Sequence, residues 1–280
     1  MSRRLSAWRL LVNNRLGLIG LLVFSAAVML ALVTPWLPLP DPDLTAPADR
    51  LQPPFSDGHL LGTDHLGRDM LSRLLWGMRV SLAVGLSATL IAAFFGSMIG
   101  LVAGFAGGRV DNLLMRGIDM LMAFPYILLA LAIVAALGPG LINALYAIAI
   151  VNIPFFARNV RGVTLSLAGR EFVDAARLSG KSPARILFSE ILPNVMAVIV
   201  ITITTTLGWM ILETAGLSFL GLGVQEPMSS WGALVNEGAQ DMESAPWTLI
   251  FPAAFLTVTL YCFNYIGDGM RDALDPKDHL

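Results

Sequence analysis

Long apolar runs, each close to the length that crosses a lipid bilayer, constrain this chain more than any other feature. They cover residues 17–33, 80–105, 120–137, 141–157, 195–212 and 247–266. A hydrocarbon core about 30 Å thick requires roughly 20 apolar residues in a helix, which satisfies its own backbone hydrogen bonds. Only 14% of the residues are charged, against about 25% in soluble domains. The sequence therefore predicts an all-α integral membrane protein with six transmembrane helices.

The few reactive side chains argue against a catalytic or metal centre. The single cysteine, Cys262, lies in an apolar run, so the sequence predicts no internal disulfide and no cysteine-based metal site. Asp64, His65 and Asp69 are close in sequence, and we interpret them as surface charges rather than metal ligands. No Ser/His/Asp set, histidine pair or HExxH motif supports an enzyme. We therefore expect no catalytic, cofactor or metal site in this chain and no nucleic-acid partner.

Basic residues are concentrated on one side of the predicted membrane. Six spans put both termini on the same side. If that side is the cytoplasm, the outer segments hold only Arg50, Arg68, Arg73 and Arg79 of the 18 basic residues. The other 14 then lie inside, in accord with the positive-inside rule. The first span has no evident cleavage site and is expected to stay in the mature chain. We expect a multi-pass protein of the bacterial cytoplasmic membrane with cytoplasmic termini.

The pattern divides the chain into four parts. Residues 1–57 hold a basic segment, the first span and a linker rich in Pro and Asp. Residues 58–79 are predicted to contain an amphipathic helix at the membrane surface, because their apolar residues fall at helical spacing from Asp69 onward. Residues 80–268 form the remaining five spans, with a cytoplasmic loop at 158–194, and residues 269–280 form a cytoplasmic tail.

Two patterns within the spans predict how the helices pack. Gly85, Gly96, Gly100 and Gly104 recur at or near four-residue multiples in the second span, which favours close helix packing in lipid. Pro125 is expected to kink the third span. The fifth span carries four threonines within five positions, and threonine hydroxyls in a membrane helix can bond their own backbone. We favour that interpretation over a water-filled path.

The loop at 158–194 contains a predicted helix, tight turn and new helix. A run of helix-forming residues ends at Gly180, and glycine takes the left-handed conformation at a helix end without steric cost. Ser182 followed by Pro183 is typical of an N-cap and the first helical position. The first helix has only about ten residues, which is marginal in water. It is therefore expected to require a surface to dock on, and no soluble domain is evident in the sequence.

The triplet Gly180-Lys181-Ser182 is similar to the end of a phosphate-binding loop, but the rest of that motif is missing. The motif requires a glycine five residues earlier, where Ala175 stands, and a strand where a helix is predicted. No nucleotide site is expected here, so any ATP hydrolysis must occur on a partner.

Three stretches resemble the dipeptide and oligopeptide branch of bacterial ABC-importer permeases. Asp174-Ala175-Ala176, followed by Gly180 and by Pro193, resembles the EAA loop of that family. Asp174 stands where Glu is usual, and Glu190 stands where Ile is usual. The other two stretches are LGTDHLGRDMLSRLLWGMRVSL at 61–82 and SFLGLGVQEPMSSWG at 218–232, in which Glu226 often has Pro in its place.

The resemblance implies a type I ABC-importer permease fold, with a five-helix core plus an N-terminal helix. It also implies a paralogous second permease, two ATPase subunits that bind ATP and Mg, and an extracytoplasmic binding protein. The chain would form half of the pathway for di- or oligopeptides, and the short cytoplasmic helix would couple to the ATPases. The expected coupling residues are Arg170, Glu171, Asp174, Ala175, Ala176, Arg177, Gly180, Lys181 and Pro193. The candidate pathway or gate residues are Thr202, Thr205, Thr206, Glu213 and Gln225.

Two alternatives remain at this stage. The same fold could import a nickel chelate or a glutathione-like peptide, because the sequence does not specify the substrate. A secondary transporter or channel is less favoured, since such proteins usually place ionisable residues inside their spans. Asp119 and Glu213 are the acids nearest the apolar runs, and both lie near span ends.

Overall fold

The computed structural model describes residues 15–274, without the side chains of residues 16 and 271–274. The predicted segments 1–14 and 275–280, with Arg3, Arg4, Arg9 and Lys277, lie outside this range. The described part is helical, with two isolated β-bridges and no strand ladder. Its helices are α1 (Arg15–Val33), α2 (Met70–Ala106), α3 (Gly108–Met122), α4 (Tyr126–Leu137), α5 (Leu141–Ala168), α6 (Glu171–Leu178), α7 (Pro183–Ile186), α8 (Leu192–Phe219), α9 (Trp231–Gln240) and α10 (Trp247–Leu274).

Five helical segments of the described chain are long and apolar enough to cross a membrane. They are Gly17–Trp36, Met70–Ala106, Leu141–Ala168, Pro183–Phe219 and Trp247–Met270. The predicted third span is the exception: α3 and α4 together pass the same test but are bent by 87° at their junction. Pro125 takes an extended conformation there, which ends one helix before the next begins. The kink predicted at Pro125 is thus a complete break, and the count of spans is five, or six with the bent pair.

The surface helix predicted within 58–79 is not a separate element. The carboxylate of Asp69 accepts a hydrogen bond from the backbone N–H three residues on, at 2.7 Å, and so caps α2. From Met70, α2 continues without interruption through the second span. Leu74 and Met78 are buried, so the apolar stripe faces the rest of the protein rather than a membrane surface. Amphipathic spacing alone does not distinguish a face that packs against protein from one that lies on a membrane surface.

The glycine stripe of α2 allows a close approach to α5, as the sequence predicts. A Cβ atom added at Gly100 would lie 2.5 Å from the carbonyl oxygen of Ala157, and one added at Gly96 would lie 2.5 Å from a side chain of α5. Gly104 faces α5 in the same way, at 2.7 Å, whereas Gly85 faces α8. Any larger residue at Gly96 or Gly100 would force the helices apart.

The core is divided along the length of the bundle. At one end, Trp231 of α9 is fully buried against Leu74 and its neighbours. At the other end, Leu101 of α2 and Val160 of α5 pack with Val173 of α6. The short helix α6 therefore lies at the opposite end of the bundle from α9, and a middle cluster of α2, α4, α5 and α8 residues fills the space between.

Candidate functional site

The sequence signals around α6 produce the predicted helix, turn and helix. Gly180 has φ +73°, its N–H bonds the carbonyl of Arg177, and the next N–H bonds the carbonyl of Ala176. These two bonds form the Schellman motif that ends a helix. Ser182 Oγ accepts a hydrogen bond from the Arg185 N–H at 3.4 Å, and proline follows the cap. The prediction is confirmed, with α6 two residues shorter than the roughly ten expected.

One face of α6 docks on the chain's own bundle. Val173 and Ala176 are 0% and 6% exposed, and they pack with Leu101, Val160 and Ile186. The prediction that Ala176 forms part of a partner-facing surface is therefore wrong, because its methyl group is buried inside this chain. The sequence indicated that α6 needs a surface to dock on, and residues of the chain's own bundle provide one for this face. Val173 and Ala176 are three apart and share a helix face, a spacing that indicated burial from the sequence.

The opposite face of α6 is exposed and carries most of the other predicted coupling residues. Leu178 is 90% exposed at the end of the helix, although it is large and apolar. Sequence reasoning did not select it. A helical projection would have selected Leu178, because it lies on the side of the helix away from Val173 and Ala176. The exposed predicted residues, on α6 and on the segments that flank it, are Arg170, Glu171, Asp174, Ala175, Arg177, Gly180, Lys181 and Pro193.

Ion pairs hold the charges of this region in place. Arg177 contacts Asp174 at 3.1 Å, as their spacing predicts, and its guanidinium lies 5.9 Å from the ring centre of Phe105. Lys181 contacts Glu190 at 2.5 Å and so links the Gly180 turn to the helix that follows. Glu190, the residue that departs from the family pattern, thus has a local partner. Such exposed pairs contribute about 0–1 kcal/mol each and mainly fix orientation.

The helix that follows the turn reaches the middle of the molecule. From Pro183, α7 continues through a π-helical turn at Leu187–Ile191 into α8. The whole segment to Phe219 contains 37 residues and forms one candidate span. At a rise of about 1.5 Å per residue it is about 55 Å long. A displacement of α6 would therefore act directly on the start of this segment.

A cavity of about 960 Å³ lies between the end of α3 and the helices α4, α5, α8 and α10. Its wall includes three of the predicted pathway residues, Thr205, Thr206 and Glu213. Thr202 is instead buried, 7% exposed, outside this cavity. The amide of Gln225 bonds the carbonyls of Gly221 and Gly223 and does not line it either.

The threonines of α8 bond their own helix, as predicted. Thr202 Oγ1 donates to the Val198 carbonyl at 2.8 Å, and Thr206 Oγ1 donates to the Thr202 carbonyl at 2.7 Å. Thr204 and Thr205 make equivalent bonds three and four residues back. Their hydroxyl protons are thus satisfied inside the helix, and each oxygen keeps acceptor capacity.

Glu213 lies in the cavity wall, six residues before the end of the candidate span Pro183–Phe219. Its Oε2 accepts a hydrogen bond from Asn152 Nδ2 at 2.7 Å. Asn152 and the aromatic rings of Tyr126, Trp209 and Tyr261 also line the cavity. None of these residues was selected from the sequence, because their proximity depends on how four helices are arranged.

A buried ion-pair cluster lies at the α9 end of the bundle. Arg73 is 0% exposed and contacts Asp64 at 2.7 Å and Glu237 of α9 at 2.5 Å. Arg68 contacts the same two carboxylates at 2.6 and 3.0 Å. The interpretation of Asp64 and Asp69 as surface charges is wrong: both are buried, and Asp69 also contacts His59 at 2.9 Å.

The cluster does not fit a divalent cation. Ligand atoms of Asp64, His65 and Glu237 lie within 4.8 Å of one another, which is close enough for a metal site. However, the guanidinium groups of Arg68 and Arg73 contact both carboxylates and would repel a third positive charge. Burial alone would raise the pKa of Asp64, but the two guanidiniums and the backbone N–H of Arg68 hold it below its ordinary value.

Comparison with known proteins identifies the family. A family model described as "Binding-protein-dependent transport system inner membrane component" matches residues 96–277. A second, described as "N-terminal TM domain of oligopeptide transport permease C", matches residues 2–54. Together the two models span most of the chain.

Curated relatives extend along nearly the whole chain. It is 46% identical to the dipeptide transport system permease protein DppC of Alkalihalophilus pseudofirmus, covering 97% of this chain and 89% of the relative. It is 43% identical to the oligopeptide transport system permease protein OppC of Escherichia coli, covering 97% and 90%. It is 48% identical to the glutathione transport system permease protein GsiD of Pectobacterium atrosepticum, covering 82% and 76%.

A solved structure supports the fold. An inward-facing structure of the MetNI methionine ABC transporter matches with a TM-score of 0.56 and 21% identity, covering 74% of this chain and 98% of that one. At this identity the match shows the fold alone, which is that of a type I ABC-importer permease. The family models, the curated relatives and this shared fold agree, and the chain therefore belongs to the family of inner-membrane permease components of binding-protein-dependent ABC transporters.

Proposed function

We propose that this chain is one permease subunit of an ATP-driven importer of small peptides and that α6 is its coupling helix. The observation that carries the proposal is the two-sided character of α6. Val173 and Ala176 fix the helix to the chain's own bundle, while Leu178 at its end is 90% exposed. A helix that is fixed on one face and presents an apolar end beside the charged pair of Asp174 and Arg177 on the other offers a rigid surface with an apolar centre and a polar rim, as protein interfaces have. The partner that fits this position is a cytoplasmic ATPase subunit.

The orientation of the chain follows from its charges. The basic residues of α3, α5 and α6 belong to the end of the bundle that carries α6, where Arg161 binds Asp111 at 2.5 Å. The positive-inside rule assigns this end to the cytoplasm. Both termini are then cytoplasmic, in a bacterial inner membrane, and α9 faces outward. The acidic segment 220–246 follows α8, contains no Lys or Arg, and is then available for an extracytoplasmic binding protein.

The transport cycle is expected to act through α8. Two ATPase subunits would bind ATP and Mg and close on each other, and their movement would displace α6. The Gly180 turn and the continuous helical segment that follows would transmit that displacement to the cavity wall. A ligand shifts such an equilibrium by its differential affinity for the two states, so ATP supplies the energy by binding the closed ATPase pair better.

The cavity is expected to form half of the translocation pathway. Phe124, Trp209 and Tyr261 line it and are 60%, 51% and 57% exposed, which leaves an apolar surface for a paralogous second permease. The named relatives transport dipeptides, oligopeptides or glutathione, so peptides are the favoured substrate class. A nickel chelate remains the alternative within the same fold.

Purification and uptake test the proposal together. The tagged chain, purified from the membranes of its own host, should co-purify with two ATPase subunits and a second permease. Proteoliposomes loaded with ATP and given the binding protein should accumulate tri-alanine, whereas those loaded with ADP should not. Uptake that runs without ATP and is driven by an ion gradient would contradict the proposal and favour a secondary transporter.

A further inference from the structure

The wall of the large cavity carries a single kind of charge. Among the described residues that line it, Glu213 is the charged one, and no Lys or Arg is present. The remaining lining side chains are apolar, aromatic or uncharged polar. Arg158 and Asp119 are close in sequence to residues that line the cavity. They contact each other at 2.6 Å, so their charges compensate, and both are exposed. The charge on the described part of the cavity wall is therefore negative and comes from Glu213.

The carboxylate of Glu213 is held in place by a neutral group. Asn152 Nδ2 donates to the Ile148 carbonyl at 2.9 Å and to Glu213 Oε2 at 2.7 Å, so the amide itself is fixed by its own helix. A neutral amide orients the carboxylate without cancelling its charge. An uncompensated carboxylate in a surface of low dielectric constant attracts a cation strongly.

The surroundings favour an organic cation over a metal ion. Calcium and magnesium need six or more oxygen ligands, and Glu213 is the only carboxylate among the described residues that line the cavity. By contrast, the rings of Tyr126, Trp209 and Tyr261 line the same cavity, and aromatic faces attract ammonium groups. The cavity volume, about 960 Å³, lies within the range of sites that hold drug-sized molecules.

We propose that Glu213 receives the positively charged α-ammonium group of a peptide as it passes through the cavity. The inference rests on the proposed function, because it assigns a substrate contact to the same pathway. The substrate class it specifies is peptides with a free amino terminus. A site for passage must bind and also release, so one charge-assisted contact with weakly attractive aromatic walls is suited to the task.

The test uses the full transporter in proteoliposomes with tri-alanine as the probe. Glu213→Gln keeps the shape and the bond to Asn152 but removes the charge, and Glu213→Asp keeps the charge. Asp57→Asn, at an exposed linker residue, is the matched control. We expect Glu213→Gln to lower uptake about tenfold or more, the size of one charge-assisted hydrogen bond. Glu213→Asp should retain more uptake than Glu213→Gln, and Asp57→Asn should match the wild type.

The pH dependence separates an ammonium contact from a structural role. The α-amino group has a pKa of about 7.7–8.0, so it is mostly charged at pH 7 and mostly neutral at pH 9. The ratio of wild-type to Glu213→Gln uptake should therefore fall toward one as pH rises. The binding protein, the ATPases, Tyr126, Tyr261 and the Arg158–Asp119 pair are common to both variants, so the ratio isolates the contact made by residue 213.

The outcomes are distinct. Normal uptake by Glu213→Gln, or a ratio that does not change between pH 7 and 9, would overturn the inference and leave the proposed function intact. Failure of the wild-type complex to import tri-alanine with ATP would instead contradict the proposed function. Stimulation of ATP hydrolysis by the loaded binding protein should persist in Glu213→Gln, because the defect lies in the pathway and not in coupling.

Discussion

Burial decides what each charged residue does in this protein. Asp64 and Arg73 are close to fully buried, and each contacts two opposite charges. Removing one member of a buried ion pair leaves the other uncompensated, which costs about 3–5 kcal/mol. Exposed charges such as Asp174 and Arg177 contribute far less. The difference lies in the environment and not in the residue type.

Asp64→Asn should destabilise the protein strongly. It leaves Arg73 with Glu237 alone, and Arg68 with Glu237 and the more distant Glu226 at 3.8 Å, so the expected loss is about 3 kcal/mol or more of folding free energy. Thermal unfolding in nanodiscs measures it, with Asp57→Asn as an exposed control. An Asp64→Asn protein as stable as the control would contradict the assignment of this cluster as a structural ion-pair network.

The stability that Asp64 contributes, and that Asp64→Asn removes, depends on pH. The folded-state pKa of Asp64 is lowered, so its stabilisation is present above the unfolded-state value of about 3.9 and is lost as pH falls through the folded-state pKa. The stability difference between wild type and Asp64→Asn should be constant from pH 5 to 8 and shrink in acid below about pH 4.

Single-residue predictions succeeded where a local rule decides the outcome. The Thr202 and Thr206 hydroxyls bond their own helix because carbonyls three and four residues back are always within reach. Ala176 was misjudged and Leu178 was not selected, because their roles depend on which face of α6 meets the bundle. That face is set by Val173 together with distant residues such as Leu101, whose position the local sequence does not determine.

At the scale of elements, the contact between α2 and α5 organises the bundle. Gly96, Gly100 and Gly104 bring the two helices into backbone contact along one stripe. In lipid, where apolar burial between helices gains little, such close packing provides much of the association energy. The stripe was predictable because its spacing is regular and lies within one helix.

Gly100→Val should destabilise the bundle. Its Cβ would lie 2.5 Å from the Ala157 carbonyl oxygen and 2.9 Å from the Arg161 nitrogen, so the helices must separate. Overpacking of this kind costs about 1–3 kcal/mol, or more where backbone must move. Gly162→Val on α5 is the control, since nothing lies within 4 Å of a Cβ there. Equal thermal stability of the two variants would show that the stripe is not a packing contact.

The elements that were predicted poorly share one cause. The surface helix within 58–79 proved to be the start of α2, and the third span proved to be two helices bent by 87°. Hydrophobic spacing shows that a segment has an apolar face but not whether protein or lipid covers it. The α6 turn was predicted well because Gly180, Ser182 and Pro183 act through local backbone geometry.

At the scale of the whole molecule, one helical segment joins the two candidate sites. Pro183 begins it beside the Gly180 turn, and Glu213 lies in the cavity wall about 45 Å further along. A continuous helix transmits displacement without requiring a chain of separate contacts. The cavity itself was not predictable from sequence, because side chains of five helices, α3, α4, α5, α8 and α10, form its walls.

Replacement of Leu178 tests the central claim most directly, because it alters the exposed end of α6 without touching its buried face. Leu178→Asp should reach the membrane with normal thermal stability. It should co-purify with about tenfold less ATPase subunit, as expected for loss of an interface hot spot. ATP-driven tri-alanine uptake should fall with it.

The control is Leu44→Asp, which makes the same change at a leucine of the linker that is 65% exposed. This variant should keep normal ATPase association and uptake. The decisive measurement is the amount of ATPase subunit that co-purifies with each variant, normalised to membrane abundance. A large decrease for Leu178→Asp alone is the predicted result. Normal ATPase association and normal uptake in Leu178→Asp would contradict the assignment of α6 as the coupling helix.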